Sequence, residues 1–285
     1  MDGRLKGGHD ERGWFGYTRA MNRDIESRLA FAHKLADAAG AAIRPHFRQR
    51  IEIAAKTGSS HPGFDPVTEA DRGGETAMRM LIRENFPDDG IVGEEYGTTD
   101  GESGYVWVLD PLDGTRAFIA GMPMWGTLIA LEHDGKPVLG MLDQCWLRER
   151  FIGLGGRAEL RCADGVTPLQ SRECPALAEA IVCTTHPFAH FDDSERALFH
   201  RVEAAARMSR YGGDCYAYAL VAMGFVDLVM EARLAHWDIA AIVPIVEGAG
   251  GVVTDWSGAP VHEGGDVIAA GDKRTHAEAL KLIAG

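Results

Sequence analysis

Three acidic segments of the sequence share one pattern, in which an apolar run delivers carboxylates into a turn or a helix start. The first segment contains Glu94, the second contains Asp110 and Asp113, and the third contains Asp238. Carboxylate oxygens are the ligands that hard divalent cations such as Mg²⁺ prefer. Four carboxylates in matching contexts therefore predict a magnesium site built from separate parts of the chain.

The second segment, residues 106–115, is the most informative of the three. Asp110 follows an apolar strand, Pro111 fixes the next backbone turn, and Asp113 comes three residues later, so both carboxylates can face one side of a tight loop. Gly114 and Thr115 then begin a predicted helix whose free N–H groups can bind an anion. Carboxylates for a cation beside amides for an anion suit metal-dependent hydrolysis of a phosphate ester. The alternative is structural, with Asp110 capping a turn and Asp113 capping the helix.

Apolar periodicity predicts the elements that position these residues. A helix begins at Thr68 and ends at the breaker cluster 87–90, and Asp134-Gly135 predicts a β-hairpin turn. The predicted helices are 24–47, 68–86, 194–207, 215–223, 238–247 and 275–284, and the predicted strands are 51–55, 91–92, 105–109, 125–131, 138–142, 180–185, 226–231 and 252–255.

This alternation predicts a layered α/β (α+β) architecture with a seam near residue 155. We expect a flexible leader over residues 1–22, an N-terminal α+β metal-binding half over 23–155 and a C-terminal α/β half over 156–285, which together form one unit. The N-terminal segment has no apolar secretory core, and no run approaches the roughly 18 apolar residues of a membrane span.

The composition limits the kinds of partner that the protein can bind and indicates its compartment. Lys and Arg number 29 and Asp and Glu 42 in 285 residues, so the net charge of −13 disfavours nucleic acid and anionic membranes as partners. An odd number of cysteines without a C-x-x-C motif predicts free thiols and a cytoplasmic protein. These cysteines are Cys145, Cys162, Cys174, Cys183 and Cys215.

Four separated motifs resemble those of the magnesium-dependent, lithium-sensitive inositol monophosphatase superfamily, and they occur in the same order as in that superfamily. They lie at 65–71, 93–95, 110–115 and 237–238, and the resemblance extends from about residue 24 to the end. It implies the αβαβα sugar-phosphatase fold, a homodimer and a phosphomonoester substrate. It also implies two to three Mg²⁺ ions per active site and attack by metal-activated water without a covalent intermediate.

The resemblance also implies roles for individual residues. Asp71 would help Thr115 to orient the attacking water or would hold a further metal-bound water, and Glu94 would take part in catalysis as well. The amides of Gly114 and Thr115 would hold the phosphate. Glu231 would contact the organic part of the substrate. The implied metal ligands are Glu94, Asp110, Asp113, Asp238 and the backbone carbonyl of Leu112.

Two segments, 115–131 and 212–218, look most like the histidinol-phosphate phosphatase branch of this superfamily. We therefore expect a histidinol-phosphate phosphatase of histidine biosynthesis, in which Asp214 and Glu231 recognise the cationic groups of the substrate. Asp214 could instead cap the helix that starts at Cys215. Two alternatives for the whole protein remain. One is an inositol-1-phosphate or broader sugar-phosphate phosphatase, and the other is a non-catalytic regulator with the same fold.

Overall fold

The computed structural model describes residues 11–50, 52–55, 66–261 and 263–285. The helices are α1 Glu11–Ile43, α2 Glu69–Asn85, α3 Thr115–Ile119, α4 Asp193–Ala205, α5 Asp214–Ala222, α6 His236–Ile239, α7 Ile242–Gly248 and α8 Lys273–Ala284, with short 3-10 turns at Arg44–His46 and Leu177–Glu179. The strands are β1 Ala54–Ala55, β2 Pro66–Val67, β3 Gly90–Gly93, β4 Gly97–Thr99, β5 Tyr105–Asp113, β6 Gly126–His133, β7 Lys136–Gln144, β8 Glu149–Leu154, β9 Arg157–Cys162, β10 Gly165–Pro168, β11 Ile181–Thr184, β12 Met208–Tyr211, β13 Leu228–Leu234, β14 Val252–Asp255 and β15 Gly265–Ala270.

The first helix is longer than its periodicity predicted. It begins at Glu11, whereas the prediction began at Asp24, so residues 11–22 of the predicted flexible leader are helical. No proline interrupts this stretch, and each glycine in a helix costs only about 1 kcal/mol, so nothing there ends the helix. Residues 1–10 of the predicted leader lie outside the described residues.

Helix α2 begins at its N-cap Thr68, as the sequence predicted, and reciprocal hydrogen bonds around Thr68 fix that start. Thr68 Oγ1 accepts a hydrogen bond from the Ala70 N–H at 3.2 Å, and Asp71 Oδ2 accepts one from the Thr68 N–H at 2.8 Å. Such a capping box satisfies N–H groups that the first helical turn leaves free. Asp71 is therefore held at a defined place at the beginning of α2.

The first sheet has eight strands in the order β10-β9-β8-β7-β6-β5-β3-β4. The predicted hairpin between β6 and β7 is confirmed, with positive φ at both Asp134 and Gly135, as a tight two-residue turn requires. Gly155 and Gly156 form a second such turn between β8 and β9. The glycine pair at the predicted seam is therefore a hairpin turn, and the first sheet continues past residue 155 to Pro168.

The second sheet has five strands in the order β12-β11-β13-β15-β14, and it begins at Ile181. Helices α5 and α7 lie between the two sheets, because their buried residues share one core with side chains of both. Helices α1 and α2 cover the other face of the first sheet, and α4 and α8 cover the other face of the second. The five layers confirm the predicted αβαβα fold.

Two glycines let α7 approach the first sheet closely. A Cβ at Gly140 would lie 2.0 Å from the Ala241 carbonyl oxygen, and one at Gly153 would lie 2.2 Å from the Pro244 carbonyl.

In the described part of the chain, no helix is both long enough and apolar enough to span a membrane. All five cysteines are free thiols.

Candidate active site

Asp110 and Asp113 face the same side of β5 because the strand contains a bulge between them. Residues three apart in a regular strand point to opposite faces. Here Asp110 pairs with Leu128 and Asp113 with Gly126, so three steps along β5 match two along β6. The extra residue in the bulge places the Asp113 side chain on the same face of the sheet as the Asp110 side chain. The strand thus runs through Pro111 to Asp113, beyond the predicted end at Leu109.

Asp110, Asp113 and Asp238 form a three-carboxylate cluster. One oxygen from each lies within 4.8 Å of the others, and Asp110 is buried. Burial raises the pKa of Asp110 well above its ordinary value, and repulsion from Glu94, Asp113 and Asp238 raises it further. Like charges gathered in a buried place are stable only when protonated or when a cation neutralises them. An all-oxygen donor set of this kind suits a hard divalent cation.

Backbone amides fix two of these carboxylates. Asp113 Oδ2 accepts a hydrogen bond from the Cys215 N–H at 2.7 Å, which ties β5 to the start of α5. Asp238 Oδ2 accepts one from the Ala235 N–H at 2.8 Å. Burial raises the pKa of Asp113, and the hydrogen bonds from Cys215 offset part of that rise.

The third acidic segment differs from its prediction in one respect. Residues 238–247 were expected to form a single helix, but α6 begins at His236 and a separate α7 begins at Ile242. Pro244 explains the separation, because it has no N–H to continue the hydrogen bonds of α6 and is tolerated in the first turn of α7. Asp238 therefore joins the cluster from a four-residue helix.

Glu94 lies beside the cluster at the end of β3. Its side chain hydrogen bonds with Asp110, and its N–H donates to the Leu109 carbonyl at 3.2 Å. The loop after Glu94 is held by Glu75, whose Oε2 accepts from the Glu95 N–H at 2.7 Å. Arg79 Nε donates to Glu75 Oε1 at 2.6 Å, which completes a buried ion pair under the loop.

Sequence reasoning missed Glu75 and Arg79. A Glu–Arg pair four residues apart on a helix is typical of a solvent-exposed ion pair. The available signal was that Glu75 shares the buried face of α2 with Met78 and Ile82, three and seven residues further on.

Thr115 and Asp71 are in hydrogen-bond contact, although they lie 44 residues apart. Thr115 Oγ1 lies 3.1 Å from Asp71 Oδ1 and also 3.1 Å from the Leu112 carbonyl oxygen. A hydroxyl has one proton, so it donates to one of these acceptors and keeps lone pairs that can accept a proton. Asp71 is fully buried, and its other oxygen is occupied by Thr68.

Gly114 precedes α3 with φ +82°, a left-handed conformation that favours glycine. A Cβ at this position would lie 2.7 Å from the Met124 carbonyl oxygen and 3.1 Å from Asp214 Cβ. The loop that begins α3 therefore packs directly against the first residue of α5. This contact brings Gly114 and Thr115 next to Asp214, as the predicted site requires.

Asp214 is the first residue of α5 rather than its cap. The N-cap is Gly213, the Cys215 N–H donates to Asp113 rather than to Asp214, and Asp214 has a left-handed φ of 42°. The helix-cap alternative for Asp214 is therefore wrong. Burial raises the pKa of Asp214 well above its ordinary value, repulsion from Asp113 and Glu231 adds to the rise, and Arg116 opposes it.

Glu231 is buried on β13 and anchored by two threonines. Its Oε1 accepts from the Thr185 N–H at 2.6 Å, and its Oε2 accepts from Thr184 Oγ1 at 3.3 Å. Burial raises the pKa of Glu231 to about 7, although the two hydrogen bonds from Thr185 and Thr184 act in the opposite direction. The site therefore contains two carboxyl groups, Asp214 and Glu231, in addition to the acidic cluster.

Carboxylates converging on a β-bulge inside an αβαβα fold define a metal-dependent phosphomonoesterase. The chain belongs to the inositol monophosphatase family, whose sequence model matches residues 24–284. It is 43% identical over 271 residues to the chloroplastic bifunctional phosphatase IMPL2 of Arabidopsis thaliana, covering 91% of this chain and 76% of that one. It is 34% identical to the histidinol-phosphatase of Chlorobaculum parvum, with coverages of 81% and 86%.

A solved structure agrees with these sequence relatives. An inositol monophosphatase from Zymomonas mobilis is 42% identical, has a TM-score of 0.80 and covers 91% of this chain and 98% of its own. The protein is therefore a phosphatase of the inositol monophosphatase family, as the four motifs indicated.

Proposed function

We propose that this phosphatase hydrolyses histidinol phosphate, in the histidine pathway. The observation that carries the proposal is a pair of carboxyl groups that repel each other, half-buried Asp214 beside Gly114 and buried Glu231 on β13. Histidinol phosphate has an ammonium group and an imidazole, whereas an inositol phosphate has neither. Buried carboxylates bind cationic groups through charge-assisted hydrogen bonds. A cationic substrate would also neutralise the repulsion between these two groups.

The proposed metal ligands are the carboxylates of Glu94, Asp110, Asp113 and Asp238 and the carbonyl of Leu112, for two to three Mg²⁺ ions. Their oxygen chemistry fits Mg²⁺, and the raised pKa of Asp110 marks a cluster that a cation would stabilise. Bound divalent cations supply charge neutralisation at the phosphate and lower the pKa of coordinated water.

Thr115 and Asp71 would handle the proton of the attacking water. Thr115 Oγ1 would accept a proton from that water while it donates its own to Asp71 Oδ1, which lies 3.1 Å away. Asp71 is held in place for this by Thr68, which donates twice to Oδ2. The N–H groups of Gly114 and Thr115 would donate to phosphate oxygens. No side chain needs to form a covalent intermediate.

A second candidate substrate is inositol 1-phosphate. The support is that the solved structure at 42% identity is an inositol monophosphatase and that the relative at 43% is a bifunctional phosphatase. The two candidates differ in charge at the end of the substrate remote from the phosphate. The proposed role of Asp214 and Glu231 therefore favours histidinol phosphate, whose organic part is cationic.

The test compares phosphate release from histidinol phosphate and from inositol 1-phosphate, with Mg²⁺ present, in wild type and in Asp214→Asn. We expect wild type to prefer histidinol phosphate. Asp214→Asn should lower kcat/KM for histidinol phosphate by about tenfold or more and should change the turnover of inositol 1-phosphate little. Asp134→Asn is the matched control, because it removes the same charge in an exposed turn that accepts Asn-Gly. A wild-type preference for inositol 1-phosphate would overturn the proposal.

A further inference from the structure

A polar cavity of about 610 Å³ lies beside the C-terminal part of α1, and none of the active-site residues lines it. Its walls come from α1, from the turn between β7 and β8, and from the end of β9. We call it the arginine cavity after the side chains that line it, which are Arg44, Arg148, Arg150 and Arg161. Four arginines in one cavity are unexpected in a chain with a net charge of −13.

The floor of the arginine cavity is an ion-pair network in which Arg150 contacts two aspartates. Arg150 Nε donates to Asp143 Oδ1 at 2.7 Å, and Arg150 Nη2 donates to Asp37 Oδ1 at 2.8 Å. These are the only two acidic residues that line the cavity within the described part of the chain. Arg150 already uses both aspartates, and Arg161 pairs with Glu159, so the charges of the other two arginines, Arg44 and Arg148, have no carboxylate partner among the described residues.

His33 adds a neutral donor to this floor. Arg150 Nη1 lies 2.9 Å from His33 Nδ1, and because arginine can only donate, Nδ1 accepts and the ring proton is on Nε2. Burial and the charges of Arg150 and Arg161 lower the pKa of His33, so the ring stays neutral. Its buried Nε2 has no hydrogen-bond partner among the described residues.

The two remaining arginines of the rim are exposed and unpaired. Neither the Arg44 nor the Arg148 side chain forms a hydrogen bond or an ion pair with any residue that the structure describes, whereas Arg161 pairs with Glu159 at 2.6 Å. Arg44 lies over the Trp146 ring, 5.8 Å from its centroid. A neighbouring cavity of about 430 Å³ shares Arg44 and adds Arg48 and Trp146. The unused polar groups here are donors, so they fit an acceptor-rich ligand.

We propose that the arginine cavity binds an anion of the phosphate class through Arg44 and Arg148. The guanidinium group matches the paired oxygens of phosphate, and two of them from separate elements favour an anion with more than one charged oxygen. The volume lies within the range of small-molecule sites and leaves room for an organic part against Trp146. The phosphate group comes either from inorganic phosphate, the product of this enzyme, or from an organic phosphate.

The experiment is calorimetric titration of the full chain freed of metal and then dialysed free of chelator. Without metal, the acidic cluster repels anions, so binding at the active site is suppressed. Inorganic phosphate and phenyl phosphate are the two probes, and tighter binding of phenyl phosphate would identify an organic source. The test variant carries Arg44→Gln and Arg148→Asn, because Arg148 has a φ of 60° and asparagine tolerates that conformation.

We expect millimolar or tighter binding to wild type, and at least about tenfold weaker binding to the double variant. The matched control carries Arg83→Gln and Arg201→Gln, two exposed helical arginines with the same total charge, and it should keep wild-type affinity. Phosphatase activity with Mg²⁺ should be unchanged in both variants, which shows that both fold. No binding to wild type, or equal affinity in the test variant and wild type, would overturn the proposal.

Discussion

A side chain at Gly93 would collide with Glu75, because a Cβ built on Gly93 lies 2.1 Å from Glu75 Oε1. Gly93 precedes Glu94, and Glu75 holds the loop that follows Glu94. The absence of a side chain at position 93 therefore lets α2 support the end of β3. Glu94 depends on this support for its place beside Asp110.

Gly93→Ala is expected to displace Glu75 and to break the buried Glu75–Arg79 ion pair. We expect the free energy of unfolding to fall by about 3 kcal/mol, since both overpacking and an uncompensated buried charge are costly. Magnesium affinity should fall as well, because the loop after Glu94 loses its anchor. Urea unfolding and metal titration measure the two effects.

Gly73→Ala is the matched control for that substitution. Gly73 is on α2, the helix that carries Glu75, and a Cβ there meets only Ala42 at 3.9 Å. Alanine should raise the free energy of unfolding by up to about 1 kcal/mol through helix propensity alone. Equal stability of the Gly93 and Gly73 variants would contradict the proposed support.

Asp110→Asn should have opposite effects on stability with and without Mg²⁺. Asp110 is a buried carboxyl whose pKa is raised by burial and by neighbouring carboxylates, so a neutral side chain should stabilise the metal-free protein by about 1 kcal/mol. With Mg²⁺, wild type gains stability from binding and the variant gains little. Urea unfolding with and without Mg²⁺ should show the two curves exchange order. A variant that is less stable in both conditions would refute this account of the cluster.

Thr115→Val should remove the proton path to Asp71 while preserving side-chain shape. We expect kcat to fall by about 10²- to 10⁴-fold, the range for losing a positioned proton-transfer group. Thr115→Ser keeps the hydroxyl and should retain most of the activity. The KM and the Mg²⁺ affinity should change little in either variant. Full activity of the valine variant would remove Thr115 from the mechanism.

The local parts of this site were predictable from the sequence. The Thr68 cap, the turn at Asp134-Gly135 and the start of α3 at Thr115 all follow from short-range residue preferences. The family motifs indicated which carboxylates belong to the site. Asp110 and Asp113 were expected to share one side, but a loop was the expected cause and a β-bulge is the structural one.

Features set by distant contacts were not predictable. Glu75 contacts a loop 20 residues away, and Asp214 packs against Gly114, which lies 100 residues before it in the sequence. The strand after the Gly155-Gly156 turn stays in the first sheet, which a short turn signal cannot predict. The division into two halves remains a prediction.

Glu231→Gln should change how the stability of the metal-free protein depends on pH. The folded-state pKa of Glu231 is about 7, above the ordinary value of 4.5, so its contribution is fully present below pH 4.5 and is lost as pH rises through 7. The loss amounts to about 3 kcal/mol. Glutamine does not titrate, so the wild-type free energy of unfolding minus that of the variant should fall by this amount between about pH 4.5 and 8.

Urea unfolding of both proteins across that pH range, without metal, measures this difference. Buried carboxyls that do not interact with Glu231, such as Asp143, titrate in the same way in both proteins, and subtraction largely removes their contribution. Asp214 repels Glu231, so its response to the substitution is part of the measured difference. Glutamine keeps one acceptor oxygen for the Thr185 N–H, so a constant offset between the proteins is expected. A difference that stays constant with pH would show that Glu231 titrates at its ordinary pKa. Its carboxylate would then bind a cationic substrate without first losing a proton at neutral pH.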